Sequence, residues 1–444
     1  MNRKTYRRVA ALFAISALAT TACLSSGDSS SSSSSGGGGS DTGDKKVEIL
    51  GAFAGAEQEA FQAALKPFED QSGIDVTYTG NADFTTLINT KVSSGDTPDI
   101  ALFPQPGLLL DIAAKGKLTS IDNFLDTGTL NSTLIPGFLD AVTDSDGKVW
   151  GAPMRMAVKS LVWVPKKAYE AGGYSTTPKT VQELEGIGDQ IKADGIAPWC
   201  MGYEAGAGTG WVGTDWIEEF MLRVNGPDVY DQWVNHDIPF NDPQVKAAFD
   251  AYQELLGSDD ENVLGGADGI LNTSFETAGN QSLSDPPKCM MQRQGNFITG
   301  FYPDDVQKNL DASFDVLPFP AYEGGYDGTP VLGGGDIAAL FNGTDTDAQE
   351  VMKFLTSDKF GAEWAQAGGW LSPHKTFDAS NYPDETTRSI AKIATSADVF
   401  RYDGSDLMPA QVGAASFWQG MVAWISGDDT QSVLDQIEST WPTG

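Results

Sequence analysis

Histidine is almost missing from this sequence of 444 residues, occurring only at His236 and His374. A metal site built from several histidines is therefore excluded by count, and a Ser-His-Asp hydrolase would need one of the two in a single specific place. Basic residues are also scarce, because 28 lysines and arginines face 61 aspartates and glutamates, which gives a net charge of −33. Such a chain is repelled by phosphate backbones and acidic lipids, so we expect no nucleic-acid partner and disfavour anionic substrates.

Long apolar runs are missing too, and we predict no transmembrane segment. The apolar run at residues 9–19 is about eleven residues long, against the roughly 20 that span a bilayer. It follows a basic head (Arg3, Lys4, Arg7 and Arg8) and is followed by small residues and then Cys23. This order is typical of a secretory signal, so we predict a signal peptide at residues 1–22.

The residues TTAC that end this segment resemble the lipobox of bacterial lipoproteins, which implies that Cys23 is lipidated. Ordinary signal cleavage near ALA at residues 17–19 is the alternative. Residues 23–44 continue as a Ser/Gly-rich segment that cannot bury surface and is typical of a flexible linker. We therefore expect an extracytoplasmic protein that is attached to the bacterial cell membrane by a lipid anchor.

Cysteine occurs only three times, and assigning Cys23 to lipid leaves Cys200 and Cys289. Two remaining cysteines in an exported protein most simply form one disulfide, and two buried free thiols are the alternative.

Strand and helix patterns alternate along the first part of the globular chain. The strand-like segments KKVEILGAF, IDVTYTG and PDIALF alternate with segments such as GAEQEAFQAALKPFEDQSG, whose apolar residues recur at helical spacing. This order favours an open, largely parallel α/β sheet. Ligands of such sheets bind beyond the carboxyl ends of the strands, where this sequence has the turns AFAGAE, TGNADF and FPQPG.

Several longer segments resemble the extracytoplasmic solute-binding proteins of ABC importers. They include SSGDTPDIALFPQPGLLLDIAAKGKL, APWCMGYEAGAGTGWVGTDWIEEF, GGWLSPHK and SFWQGM, which are spread over nearly all of the chain from residue 45 onward. The resemblance is to the carbohydrate-binding family that includes the maltose-binding proteins, and within it to the α-glucoside-binding branch.

The resemblance implies an α/β, two-lobed periplasmic-binding-protein-like fold with hinge crossovers and a central cleft. The N-terminal lobe would comprise residues 45–157 and 319–357, and the C-terminal lobe residues 158–318 and 358–444. The chain would cross between the lobes near Val158, Pro318 and Ser357. The protein would be a monomer that captures a mono- or oligosaccharide, with an α-glucoside or malto-oligosaccharide as the leading candidate, and delivers it to the transmembrane subunits of an ABC permease.

The alternatives are an exported glycosidase and a binding protein for a non-sugar solute. No catalytic motif is found, and the sequence GGGD lacks the Lys-Ser/Thr of a phosphate-binding loop, so we expect no enzyme activity, cofactor or metal.

Aromatic side chains are the first candidates for a sugar site, because a flat ring can stack on the apolar face of a sugar. Trp211 and Trp370 each follow glycines outside the predicted helices, and we interpret them as platforms. Asp215 with Glu218 three residues later reads as a helix N-cap, which places Trp216 on a core-facing helix. The resemblance adds Trp418 and Phe297, at positions where the maltose-binding branch has sugar-stacking aromatics.

Polar candidates would contact the hydroxyl groups of the sugar. They lie at the strand ends, at the first crossover and after the three glycines of GGGD, and they are Glu57, Asp83, Gln105, Arg155 and Asp336. Glu57 and Asp83 also suit helix N-termini, so a purely structural role is the alternative for them. Arg293 would pair with a cleft carboxylate or form an ordinary salt bridge.

Overall fold

The computed structural model describes residues 43–397 and 399–442, without the side chain of Asp259. The predicted signal peptide at residues 1–22, the lipidation site Cys23 and nearly all of the predicted linker lie outside these residues. None of the described helices is both long and apolar enough to cross a membrane.

The strands in the described part of the chain are β1 (Lys46–Gly51), β2 (Asp75–Gly80), β3 (Ile100–Phe103), β4 (Ala152–Val158), β5 (Leu161–Pro165), β6 (Ala197–Trp199), β7 (Cys289–Arg293), β8 (Phe314–Pro318), β9 (Val331–Leu340) and β10 (Phe400–Tyr402).

The α-helices are α1 (Gly55–Ser72), α2 (Phe84–Ser94), α3 (Pro106–Ala114), α4 (Thr127–Thr133), α5 (Lys166–Gly172), α6 (Val181–Ala193), α7 (Trp211–Phe220), α8 (Pro227–Val234), α9 (Pro243–Leu256), α10 (Gly266–Asn272), α11 (Phe275–Ala278), α12 (Asp304–Gln307), α13 (Leu310–Ser313), α14 (Thr346–Leu355), α15 (Ala362–Ala367), α16 (Glu385–Ser396), α17 (Gly404–Leu407), α18 (Trp418–Ile425) and α19 (Thr430–Glu438).

Short 3-10 helices lie at Ile121–Asn123, Asp140–Val142, Gly206–Gly208, Ser258–Asp260, Gly279–Leu283, Asn296–Phe301 and Ala379–Asn381, and π-helical turns lie at Met221–Asn225 and Val412–Phe417.

The first sheet confirms the predicted α/β architecture. Its strands lie in the order β10-β9-β3-β1-β2, with β4 also paired to β9. Strands β2, β1 and β3 are parallel, but β9 runs antiparallel to β3 and β4. The parallel part follows from the β-α-β connections, whereas β9 arrives from a distant part of the chain and its direction is not fixed by a crossover helix.

A second sheet has the order β6-β7-β5-β8 and mixes parallel with antiparallel pairs. Its main core contains Trp216, Phe220 and Trp233, whereas the first core contains Phe53, Phe61 and Trp364. Two sheets with two main cores are the arrangement that the predicted two-lobed fold requires.

The chain passes between the two sheets at Lys159 and Ser160 and again between β8 and β9, close to the crossovers predicted near Val158 and Pro318. A third passage follows β10 and not Ser357. The reason is that Phe360, Trp370 and Tyr402 pack in the first core and that β10 pairs with β9. The predicted lobe boundaries remain a proposal. They assign residues 358–444 to the C-terminal lobe, whereas Phe360, Trp370 and Tyr402 pack in the first core.

The predicted cysteine pair is joined in the structure. Cys200 directly follows β6, Cys289 begins β7, and their Cα atoms lie 5.3 Å apart. Because β6 and β7 are neighbours in one sheet, the bond ties a strand pair that is separated by 89 residues in sequence.

Replacing both cysteines by alanine is expected to lower the free energy of unfolding by about 4–5 kcal/mol, since the unfolded chain regains the freedom of a long loop. Urea unfolding of the wild type and the double variant measures this difference. Reduction of the wild type should reproduce the effect, and an unchanged midpoint in both experiments would contradict a stabilising disulfide.

Candidate functional site

A cavity of about 340 Å³ lies between the segments that form the two main cores. The turns after β1, β2 and β3 contribute one side of it, as expected for the carboxyl ends of adjacent parallel strands. The segments 205–211, 275–276 and 297–301 contribute the opposite side. Every predicted ligand-binding residue except Trp370 lines this cavity, namely Glu57, Asp83, Gln105, Arg155, Trp211, Phe297, Asp336 and Trp418.

Arg155 lies at the base of the cavity between two carboxylates. Its Nη1 is 2.8 Å from Glu57 Oε1, and its Nε is 3.6 Å from Asp336 Oδ2. The guanidinium carbon also lies 5.1 Å from the ring centroids of both Phe53 and Trp364, so aromatic faces cover the cation. Arg155 is thereby fixed by charge and by packing together.

The pairing of β4 with β9 brings Arg155 opposite Asp336. The glycines before Asp336 make this approach possible, because a Cβ on Gly335 would lie 2.1 Å from the carbonyl oxygen of Arg155. Asp336 is only 8% exposed, and burial raises its pKa to about 6 although Arg155 lowers it. The GGGD segment is therefore a close-packed strand that presents one carboxylate to the cavity.

Lys159 forms a second buried charge centre in the link between β4 and β5. Its Nζ lies 2.9 Å from Asp215 Oδ1 and 2.5 Å from Asp403 Oδ2. Burial and the neighbouring charge of Asp403 raise the pKa of Asp215, although Lys159 opposes the shift. Burial also acts to raise the pKa of Asp403, but Lys159 and hydrogen bonds hold it below its usual range.

Carboxylate oxygens of Asp215, Glu218 and Asp403 come within 4.8 Å of one another, which is close enough to surround a metal ion. The ammonium group of Lys159 contacts two of these residues. The backbone N–H groups of Gly404 and Ser405 donate hydrogen bonds to Glu218. The ammonium group of Lys159 therefore provides the positive charge beside these three carboxylates.

Trp211 lines the cavity, but it is the first residue of α7 and does not lie in a loop as predicted. Its ring contacts Phe275 edge to face with centroids 5.1 Å apart, and Phe297 lies 6.0 Å away. Gly210 precedes it with φ of +114°, and a Cβ there would lie 2.2 Å from the carbonyl oxygen of Trp418. The glycine lets the first turn of α7 approach Trp418, so both rings reach the same cavity.

Asp215 is not the N-cap of this helix. It lies inside α7, is 1% exposed, and pairs with Lys159 and with Arg293. Arg293 forms buried salt bridges and does not line the cavity. Trp216 is fully buried in the second core, stacked on Tyr252 at 5.1 Å, as the apolar face of the helix predicted.

Trp370 does not face the cavity, contrary to the prediction. Its side chain is 1% exposed in the first core and contacts Phe360 and Phe377 edge to face. Gly368 and Gly369 have φ of +98° and +77°, so the glycines there shape a turn that directs the indole inward.

Gln105 and Asp83 lie at the turns after β3 and β2. The hydroxyl of Thr85 donates a hydrogen bond of 3.4 Å to the Gln105 side chain, which is 8% exposed. Asp83 occupies the N-cap position of α2 without making a side-chain cap hydrogen bond. It accepts a hydrogen bond of 3.4 Å from the Ala207 N–H on the opposite side of the cavity.

The sequence patterns missed several lining residues, including Phe275, Glu276, Asp403 and Asp406. Phe275 and Glu276 begin α11, which has four residues and no apolar periodicity to detect. The sequence DGSD at residues 403–406 follows β10, and recognising that short strand would have placed these carboxylates at a strand end.

Known proteins resemble this chain over most of its length. Residues 54–362 match the bacterial extracellular solute-binding protein family. The chain is 42% identical to the osmoprotective compounds-binding protein GgtB of Synechocystis sp., over 96% of this chain and 97% of that protein. It is 33% identical to the alpha-glucosides-binding periplasmic protein AglE of Rhizobium meliloti, over 90% and 88% respectively.

The bacterial solute receptor AcbH, which is described as preferring β-D-galactopyranose, has the same fold. The TM-score is 0.75 over 89% of this chain and 97% of that one, with 19% sequence identity.

Replacing Asp336 by asparagine is expected to change how stability depends on pH. Because the pKa of about 6 lies above the unfolded value of roughly 3.9, the stability that this proton contributes is present below about pH 4 and is lost as the pH rises through about 6. The unfolding free energy of the wild type, relative to Asp336→Asn, should therefore fall by roughly 2–3 kcal/mol between about pH 4 and pH 7.

Urea unfolding of both proteins at the two pH values measures this difference. The exposed residue Asp428 offers a matched Asp→Asn control, for which the difference from wild type should stay constant. A constant difference for Asp336→Asn as well would contradict the argument.

Proposed function

The chain belongs to the bacterial extracellular solute-binding proteins, which bind solutes for ABC importers, and we propose that its cavity takes up a sugar or polyol about the size of a mono- or disaccharide. An α-glucoside is the leading candidate, in keeping with the relative that binds alpha-glucosides and the relative that binds osmoprotective compounds. The ligand would be released to the membrane subunits of an ABC permease, and the protein would catalyse no reaction.

The observation that carries this proposal is the combination of rings and carboxylates around one cavity. Trp211, Phe297 and Phe53 offer aromatic surface for the C–H faces of a sugar, and Glu57 and Asp336 offer acceptors for its hydroxyl groups. The volume of about 340 Å³ lies near the lower end of the ~300–1,000 Å³ found for small-molecule sites. This size favours a small sugar over a long oligosaccharide.

Closure of two lobes over the ligand is part of the proposal. The cavity lies between segments of both cores, and Asp83 contacts Ala207 across it. Residues of both sides would then surround one sugar, which favours binding in a closed form.

Trp211→Ala is expected to weaken sugar binding by roughly 2 kcal/mol, because a ring that buries one face of the ligand is lost. Calorimetric titration with maltose, trehalose and sucrose measures the effect after a thermal-shift screen has ranked these sugars.

Trp150→Ala is the matched control, since Trp150 is half-buried outside the cavity and its indole N–H donates to Asp144. If the folded Trp211→Ala variant bound the sugar with unchanged affinity, the interpretation of Trp211 as a platform would be wrong. The receptor function itself would be contradicted if the protein hydrolysed a fluorogenic α-glucoside and if substitution of a single carboxylate abolished this hydrolysis.

We also propose that Cys23 carries a lipid, which anchors the protein to the extracytoplasmic face of the cell membrane. The signal pattern and the Ser/Gly-rich segment after Cys23 support this, together with the extracellular character of the family.

Cys23→Ser is expected to move the protein from the membrane fraction to the soluble extracytoplasmic fraction, because the acylated residue is lost. Fractionation of cells with and without detergent measures the change. A variant that still needs detergent for extraction would contradict the anchor, and Ser26→Ala in the same segment serves as the control.

A further inference from the structure

Both cations of the cavity are already neutralised by the chain. Arg155 lies between Glu57 and Asp336, and Lys159 lies between Asp215 and Asp403. A carboxylate or phosphate on a ligand would compete with these buried partners for each cation, and it would add charge of the same sign beside them.

Three further carboxylates line the cavity beyond these pairs, at Asp83, Glu276 and Asp406. Seven carboxylates therefore line it against two cations. Asp83 and Glu276 are exposed, whereas Asp406 is half-buried. Within residues 43–397 and 399–442, the Asp406 carboxylate has no hydrogen-bond partner or ion-pair partner in contact.

The groups around Asp406 are mostly acidic and come from several elements. Asp403 and Tyr402 lie before α17, Asp215 comes from α7, Asp336 from β9 and Lys159 from the link after β4. Burial and then Asp403 raise the pKa of Asp406, while Lys159 opposes the shift. The surroundings of Asp406 thus oppose its ionisation, and a cation bound beside it would counteract them.

Aromatic faces line the same space. The ammonium of Lys159 already lies 5.4 Å from the centroid of the Trp211 ring, and Arg155 lies 5.9 Å from that of Phe297. Rings of this kind attract a cation when it is removed from water. A cavity that has aromatic rings in its lining and also a carboxylate with no partner among the described residues suits a protonated amine.

We propose that the cavity binds a sugar or polyol carrying a protonated amino group more tightly than its neutral parent, and rejects the phosphorylated or carboxylated forms, with Asp406 receiving the amine. This inference rests on the proposed function, because it assigns a charge class to the ligand of the same cavity. It also assigns Asp406 as the residue that determines this specificity.

The test uses the full exported protein and the neutral disaccharide that gives the largest thermal shift among maltose, trehalose and sucrose. Calorimetry compares that parent with a series in which an ammonium group replaces each hydroxyl in turn, and with its phosphorylated and carboxylated derivatives. We expect at least one amino derivative to bind about tenfold more tightly than the parent, and the anionic derivatives to bind at least about tenfold more weakly. No gain for any amino derivative would overturn the proposal.

Asp406→Asn keeps the size of the side chain and removes the charge, so the ratio of amine to parent affinity should fall to about one. The exposed Asp428→Asn should keep the wild-type ratio. A gain that survives in folded Asp406→Asn would show that another group receives the amine and would overturn the assignment.

The wild-type protein offers a measurement that does not depend on how the variant folds. At a pH above the pKa of the free amine, where the ligand carries no charge, the gain in affinity of the amino derivative over its parent should disappear. A gain that persists for the uncharged amine would count against the proposal. Absence of any thermal shift with the neutral sugars would instead contradict the proposed function.

Discussion

Two buried neighbours, Lys159 and Ser160, hold together the three places where the chain passes between its two sheets. Lys159 lies in the link between β4 and β5, and it binds Asp215 of α7 and Asp403, which follows β10. The next residue, Ser160, donates a hydrogen bond to Glu219 and accepts one from the Leu332 N–H at the start of β9. Separating such pairs would leave uncompensated charges in the interior, at several kcal/mol each. The base of the cavity is thus fixed by electrostatics before any ligand enters.

This constraint decides what the cavity can offer to a ligand. Because its lysine and its arginine are paired with carboxylates, the remaining charged groups that face a solute are carboxylates, which lie in the same lining as aromatic rings. Both suit hydroxyl-rich or cationic molecules and neither suits an anion. The overall charge of −33 points the same way, but the local pairing of Arg155 and Lys159 is the stronger reason.

The parts of this arrangement that the sequence could predict are the ones governed by local pattern. Alternating strand and helix periods predicted the parallel part of the first sheet, and therefore the strand-end turns that contribute Glu57, Asp83 and Gln105. The resemblance of longer segments added Phe297 and Trp418. The misplaced residues depend on distant contacts: Asp215 has the spacing of a capping residue, but its partners Lys159 and Arg293 come from other parts of the chain. Burial of Trp370 is equally a tertiary property, because flanking glycines are compatible with an indole that points either way.

The contrast between the base and the mouth of the cavity bears on how it would open. At the mouth, the exposed Asp83 carboxylate accepts a hydrogen bond of 3.4 Å from the Ala207 N–H, an exposed contact that contributes little to stability. Outside the cavity, the buried Arg223 donates hydrogen bonds to the carbonyl oxygens of Phe319, Pro320 and Pro330, which fixes both ends of the passage between β8 and β9. Water can replace the contact at the mouth but cannot replace buried ion pairs at similar cost. We therefore expect the two halves to separate at the side of Asp83 and to pivot about the segments that contain Lys159 and Arg223.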